Sequence, residues 1–192
     1  MTKDKLLKII ADNAYNVGFG AKKNFSSHDI ILKLPNWLGF ISLAIGILQL
    51  GYNQLGSNKI LSFLLIISSL AILYINLYNS NLKQFEDEGN RLTKLFNRLK
   101  ALYFSVQSQS KHDYTIEITA MDLIMEEFYS ATITKQVFLS QWYAHYKFFY
   151  EMQIDWVDEQ LKFSFFKDKI PSSLKVTILF FLIILLIYYG YR

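Results

Sequence analysis

Three long apolar runs separate the polar parts of the chain. The first, WLGFISLAIGILQLGY, covers Trp37–Tyr52 and has an aromatic at each end, as interfacial anchors do. It follows Pro35, which predicts that the preceding helix ends there. The second, ILSFLLIISSLAILYINLY, covers Ile60–Tyr78. At about 1.5 Å per residue it is long enough to cross a hydrocarbon layer of roughly 30 Å. Between them NQLGSNK reads as a polar hairpin loop, so the two runs predict antiparallel spans. The third run, LKVTILFFLIILLIYYGYR, covers Leu174–Arg192 and sits at the short end of the usual range of about 17 to 25 residues. Its aromatic end, Tyr188, Tyr189 and Tyr191, favours a span over the alternative of a buried hydrophobic helix.

The remaining stretches alternate apolar and polar residues at helical spacing. Leu6, Leu7, Ile9, Ile10, Ala14 and Val17 form one such stripe. After the second run, Leu82, Phe85, Gly89, Leu92, Phe96, Leu99, Tyr103 and Val106 recur in steps of three and four. This heptad seam predicts that the second span continues into a long helix, serving either an intrachain bundle or self-association. QSQSKHDY breaks the pattern, and a new helix is expected through Ile118, Met121, Leu123, Ile124, Met125 and Phe128. A third stretch runs through Phe138, Trp142, Tyr146, Phe149, Met152 and Trp156. Strand alternation is absent from this region after the second run. The predicted fold is an all-α membrane protein: an amphipathic helix (1–35), a transmembrane hairpin (36–78), a helical body (79–173) and a C-terminal transmembrane helix (174–192).

Composition agrees with a membrane protein. Of 192 residues, 52% are hydrophobic and 19% charged, against about 45 to 50% and about 25% for a soluble domain. The net charge of +4 could suggest nucleic acid, but the lysines are scattered and flank the apolar runs. No direct nucleic-acid binding is expected; the bilayer is the expected contact. Lys3, Lys5, Lys8, Lys22, Lys23 and Lys33 precede the first run, and Lys59 stands alone in the hairpin. Lys83, Arg91, Lys94, Arg98 and Lys100 follow the second run. By the positive-inside rule the N-terminus and the central region are expected in the cytoplasm. Lys167, Lys169 and Lys175 agree, leaving Arg192 outside. The charged KDKLLKII start does not read as a removable signal peptide.

Catalytic chemistry is hard to assemble. There is no cysteine, and His28, His112 and His145 are far apart with no metal-ligand spacing, so neither a metal nor a cofactor is expected. His145, among Trp142, Tyr143, Tyr146, Phe148 and Phe149, reads as a packed imidazole. Glu126, Glu127, Asp155, Asp158 and Glu159 have no partner nucleophile and read as solvated helix faces. NVGFGAKKNF, Asn16–Phe25, lacks the strand and the third glycine of a dinucleotide loop; Lys23 stands where that glycine would be. No enzyme activity is expected.

Polar and small residues do recur within the first two runs. Ser62, Ser69 and Asn76 lie seven apart near one face of the second, with Ser68 beside them. Gly39, Ser42 and Gly46 form a small-residue ridge on the first, with Gln49 near its outer end. Such residues either line a water path between several copies or pack spans together, with serines bonding back to their own helix. Both readings stay open.

The two-span hairpin, the all-helical remainder, AYNVGFGAKKNFSSHDIILKLP (Ala14–Pro35) and FKDKIPSSLK (Phe166–Lys175) together resemble the SLATT family. These are two-transmembrane effectors associated with bacterial nucleotide-signalling systems, here in a subgroup with an added C-terminal span. The resemblance implies a membrane effector in anti-phage defence at the bacterial inner membrane. It would homo-oligomerise and form a pore or disrupt the bilayer when a partner, a nucleotide synthetase or a reverse transcriptase, signals. It also implies that Gly18 and Gly20 permit close helix contact while Lys22 and Lys23 meet anionic head groups. The rival expectation is a non-conducting anchor or scaffold that binds a cytoplasmic partner through its helical region.

Overall fold

A computed structural model describes residues 1–110, 113–131 and 135–190; His112, Tyr191 and Arg192 lie outside them. Among the described residues every regular element is helical. The first, α1 (Lys3–Gly51), places Leu6, Leu7, Ile10, Ala11, Ala14, Val17, Gly18 and Ala21 on one buried stripe. After Ile31 the same helix becomes exposed and apolar. A short helix, α2 (Asn53–Gly56), makes the hairpin turn. Next, α3 (Lys59–Asn76) returns, capped by the Asn58 carboxamide oxygen, which accepts from the N–H groups of Ile60 at 3.0 Å and Leu61 at 3.3 Å.

The expectation that Pro35 ends the first helix is corrected: α1 runs through it. A proline removes one backbone bond, a cost of about 3 kcal/mol in a helix interior. Here both flanks are held independently. Packing fixes the helix up to Ile31, and lipid requires helix beyond Trp37 because no other backbone partner is available there.

A second correction concerns the expected continuation of the second span. The helix is interrupted between α3 and α4 (Leu82–Ser108) by a 3-10 turn at Asn79–Asn81, so the second span and the seam are two helices and not one. Local side-chain bonds accompany the break: Asn79 Nδ2 donates to Asn76 Oδ1 at 3.4 Å and Asn81 Nδ2 to Gln84 Oε1 at 3.1 Å.

Helix α4 lies antiparallel along the first half of α1, as the pairings Lys3 with Gln107, Gly18 with Phe96 and Phe25 with Gly89 require. The seam residues Phe85, Gly89, Leu92, Phe96, Leu99, Tyr103 and Val106 are all buried in this contact and beneath the later helices. The seam therefore serves the intrachain bundle, and self-association through it would require unpacking the body. Around this pair fold α5 (Thr115–Tyr129), α6 (Ser140–Tyr150) and α7 (Asp155–Leu161). The third aromatic stretch is thus two helices. Trp156 of α7 packs against Phe96 and Tyr103, with ring centroids 5.5 and 4.9 Å apart. A π-helical turn at Phe165–Lys169 leads through buried Pro171 to α8 (Ser172–Gly190). Among the described residues three helices, α1, α3 and α8, are long and apolar enough to cross a membrane.

Candidate functional site

On α3 the stripe residues Ser62, Ser69 and Asn76 are exposed, open to the outside of the chain, and Ser68 beside them is half-buried. Ser69 Oγ donates to the Leu65 carbonyl at 3.0 Å and Ser62 Oγ to that of Asn58 at 3.5 Å. Each hydroxyl thus spends its one proton on its own helix while its oxygen still accepts. Asn76 Oδ1 receives the Asn79 amide. Gln49 clasps the turn, donating from Nε2 to the Leu55 carbonyl at 3.3 Å.

Gly39, Ser42 and Gly46 are half-buried on α1. A Cβ added at either glycine would meet no atom within 4 Å, so neither glycine is in tight contact with another segment of this chain.

The glycines of the GFGAKK stretch behave differently. A Cβ on Gly18 would stand 2.8 Å from Phe96 Cδ2 and 3.0 Å from Phe148 Cε2, and one on Gly20 3.3 Å from Leu92 Cδ1. These glycines let α1, α4 and α6 approach closely. Lys22 is half-buried; burial lowers its pKa, the Lys147 ammonium adds to the effect, and Glu151 opposes it. Lys23 borders a cleft of about 540 Å³ with Trp142 of α6 and with Ser173 and Thr177 of α8.

Where α1 leaves the body, the structure assembles a charged cluster that the sequence reading missed. The Asp29 carboxylate accepts from the ammonium groups of Lys147 and, at 2.8 Å, Lys33. Burial alone would raise the Asp29 pKa, but the two lysine hydrogen bonds hold it below its ordinary value. Lys147 is buried on α6 and lies 4.6 Å from the Tyr143 ring centroid. Asp29 and Lys33 could have been paired by their spacing of four; nothing local announces Lys147, 118 residues away.

His145 packs edge-on against Phe19 at 4.9 Å between ring centroids, with Phe149 at 5.8 Å. Burial lowers its pKa and Lys175 reinforces the shift, while the backbone of Asp168 opposes it. Two bonds root the third long helix: Trp142 Nε1 donates to Ser173 Oγ at 2.8 Å, and Lys175 Nζ to the Phe166 carbonyl at 2.9 Å. Glu126, Glu127, Asp155 and Glu159 are exposed, and among the described residues no group of acidic residues, histidines or cysteines could hold a metal ion.

This arrangement defines an all-α membrane protein whose span hairpin is continuous with a packed helical body. The chain belongs to the SLATT family: the model of its group described as SMODS and SLOG-associating 2TM effector domain 6 matches residues 1–178, ending inside α8. No curated protein and no solved structure matches the chain.

Proposed function

We propose that this membrane effector acts in bacterial conflict with phage, assembling several copies in the cytoplasmic membrane and permeabilising it when a partner system signals. The N-terminus and helical body face the cytoplasm and α8 crosses outward, as the lysine distribution favours. A nucleotide-producing or reverse-transcribing partner would supply the signal.

The outward orientation of Ser62, Ser69 and Asn76 carries this reading. One hairpin cannot enclose water, so a path lined by this stripe is closed by neighbouring copies. Continuity of α1 supplies the coupling: the same helix packs in the body through Ile31 and forms the first span. A signal that binds better to a second packing of the body shifts the span population with it.

Membrane potential is the test. The chain and a Ser69→Leu, Asn76→Leu double variant are expressed to equal levels in bacteria together with the partner genes that adjoin it. Depolarisation by the first alone supports the stripe. Equal depolarisation by both removes the stripe from the path, and silence of both under a live signal favours the non-conducting anchor.

A further inference from the structure

Beside the charged cluster, the surface of α1 changes from polar to apolar within two turns. Two hollows lie on it, of about 490 and 330 Å³, and both are bordered by Lys33 and Trp37. Leu32, Asn36 and Phe40 complete the first; Asp29, Leu34 and Tyr143 are among the residues completing the second. Trp37 and Phe40 are 63% and 67% exposed and continue directly into the apolar surface of the span. The polar groups sit at the body end and the aromatic ones at the span end, the order in which a phospholipid presents its own head group and chains.

Charge selects among phospholipids. The Asp29 carboxylate is shared by two ammonium groups. With Glu151, which also acts on Lys33, and Lys22, which acts with Lys147, the group of three lysines and two carboxylates keeps one positive charge in excess. The Lys147 side chain is 10% exposed and that of Lys33 59% exposed, so the excess is presented by Lys33. An ammonium has three N–H donors, and Asp29 takes one of those of Lys33. The Asn36 amide donates one N–H to the Leu32 carbonyl at 3.1 Å and keeps a second donor, so the one charged donor for a head group is the lysine and Asn36 can only assist it. A small soluble anion would make no use of Trp37 or Phe40.

We infer that this cleft binds one anionic phospholipid of the leaflet facing the body, with its phosphate on Lys33 and its acyl chain along Trp37 and Phe40. The inference rests on membrane placement and is independent of whether the protein conducts.

The test uses the full chain in phosphatidylcholine vesicles containing a minor fraction of phosphatidylglycerol, with bromine on the acyl chains of one lipid or the other. Trp37 fluorescence is taken as the difference between the protein and its Trp37→Phe variant. Quenching per mole is expected to be about fivefold stronger from brominated phosphatidylglycerol, the preference one lysine confers at an anionic leaflet. Lys33→Gln, which leaves Asp29 paired with Lys147, should bring the ratio to unity, while Lys83→Gln should leave it unchanged. Equal quenching by both lipids in the unaltered protein overturns the inference, as does a ratio that survives Lys33→Gln. Loss of the ratio on adding inorganic phosphate would replace the lipid with a free anion.

Discussion

The Trp142 indole N–H donates to the Ser173 hydroxyl at 2.8 Å, tying α6 to the first turn of α8 across 31 residues. The apolar length of α8 is itself exposed in the chain, so this bond and the Lys175 contact to Phe166 set where the helix leaves the body. Replacing Ser173 with alanine removes a hydrogen bond with a net worth of about 0.5 to 1.5 kcal/mol. Tryptic cleavage at exposed Lys167 is expected to accelerate roughly two- to tenfold through local opening of the tether, with the global unfolding midpoint little changed.

Gly18 and Gly39 make a matched pair for testing close approach. Gly18→Ala places a methyl group against Phe96, itself packed on Trp156, and should destabilise the body by about 1 to 3 kcal/mol. Gly39→Ala meets open space and should shift thermal stability in detergent by no more than about 0.5 kcal/mol. If the ridge packs against a second copy, the Gly39 variant will instead change the oligomer distribution in chemical cross-linking.

The Asp29–Lys147 pair should respond asymmetrically. Lys147→Met leaves Asp29 with exposed Lys33 and is expected to cost about 1 kcal/mol or less. Asp29→Asn strands a buried ammonium and should cost about 3 kcal/mol. Combining the two should recover most of that loss, as a double-mutant cycle in chemical denaturation would measure.

Acid sensitivity is expected from His145. Because burial depresses its folded pKa below 6.5, the unfolded chain takes up the proton first. Stability is therefore full above about pH 6.5 and falls as the pH drops toward the folded value, below which no more is lost from this group. Asp29, held below its ordinary 3.8, acts in a separate and more acidic window. Melting temperatures between about pH 8 and pH 5 should show the decline, and His145→Phe should flatten it.

Hydrophobic length and period by themselves determined the class of this protein. A run of apolar residues as long as Ile60–Tyr78 has few stable environments but lipid, and the three-four spacing from Phe85 to Val106 has few regular solutions but helix. Those signals are local, and they came through intact: three long apolar helices and a helical remainder. Family membership was likewise legible in the stretches before the first and third spans.

What only the tertiary structure decided were relations between segments. Pro35 is locally a helix terminator, yet packing on one side and the demands of lipid on the other carry α1 through it. A heptad seam says that a stripe will be buried but not by what; α1 of the same chain covers it. Lys22, which the resemblance set at head groups, is half-buried, while Lys33 is exposed. The Asp29–Lys147 and Trp142–Ser173 bonds join residues with no sequence signal in common. Periodicity fixes which face of a helix is apolar, but partner choice depends on volume and charge matching across segments far apart in the chain, which no local pattern encodes.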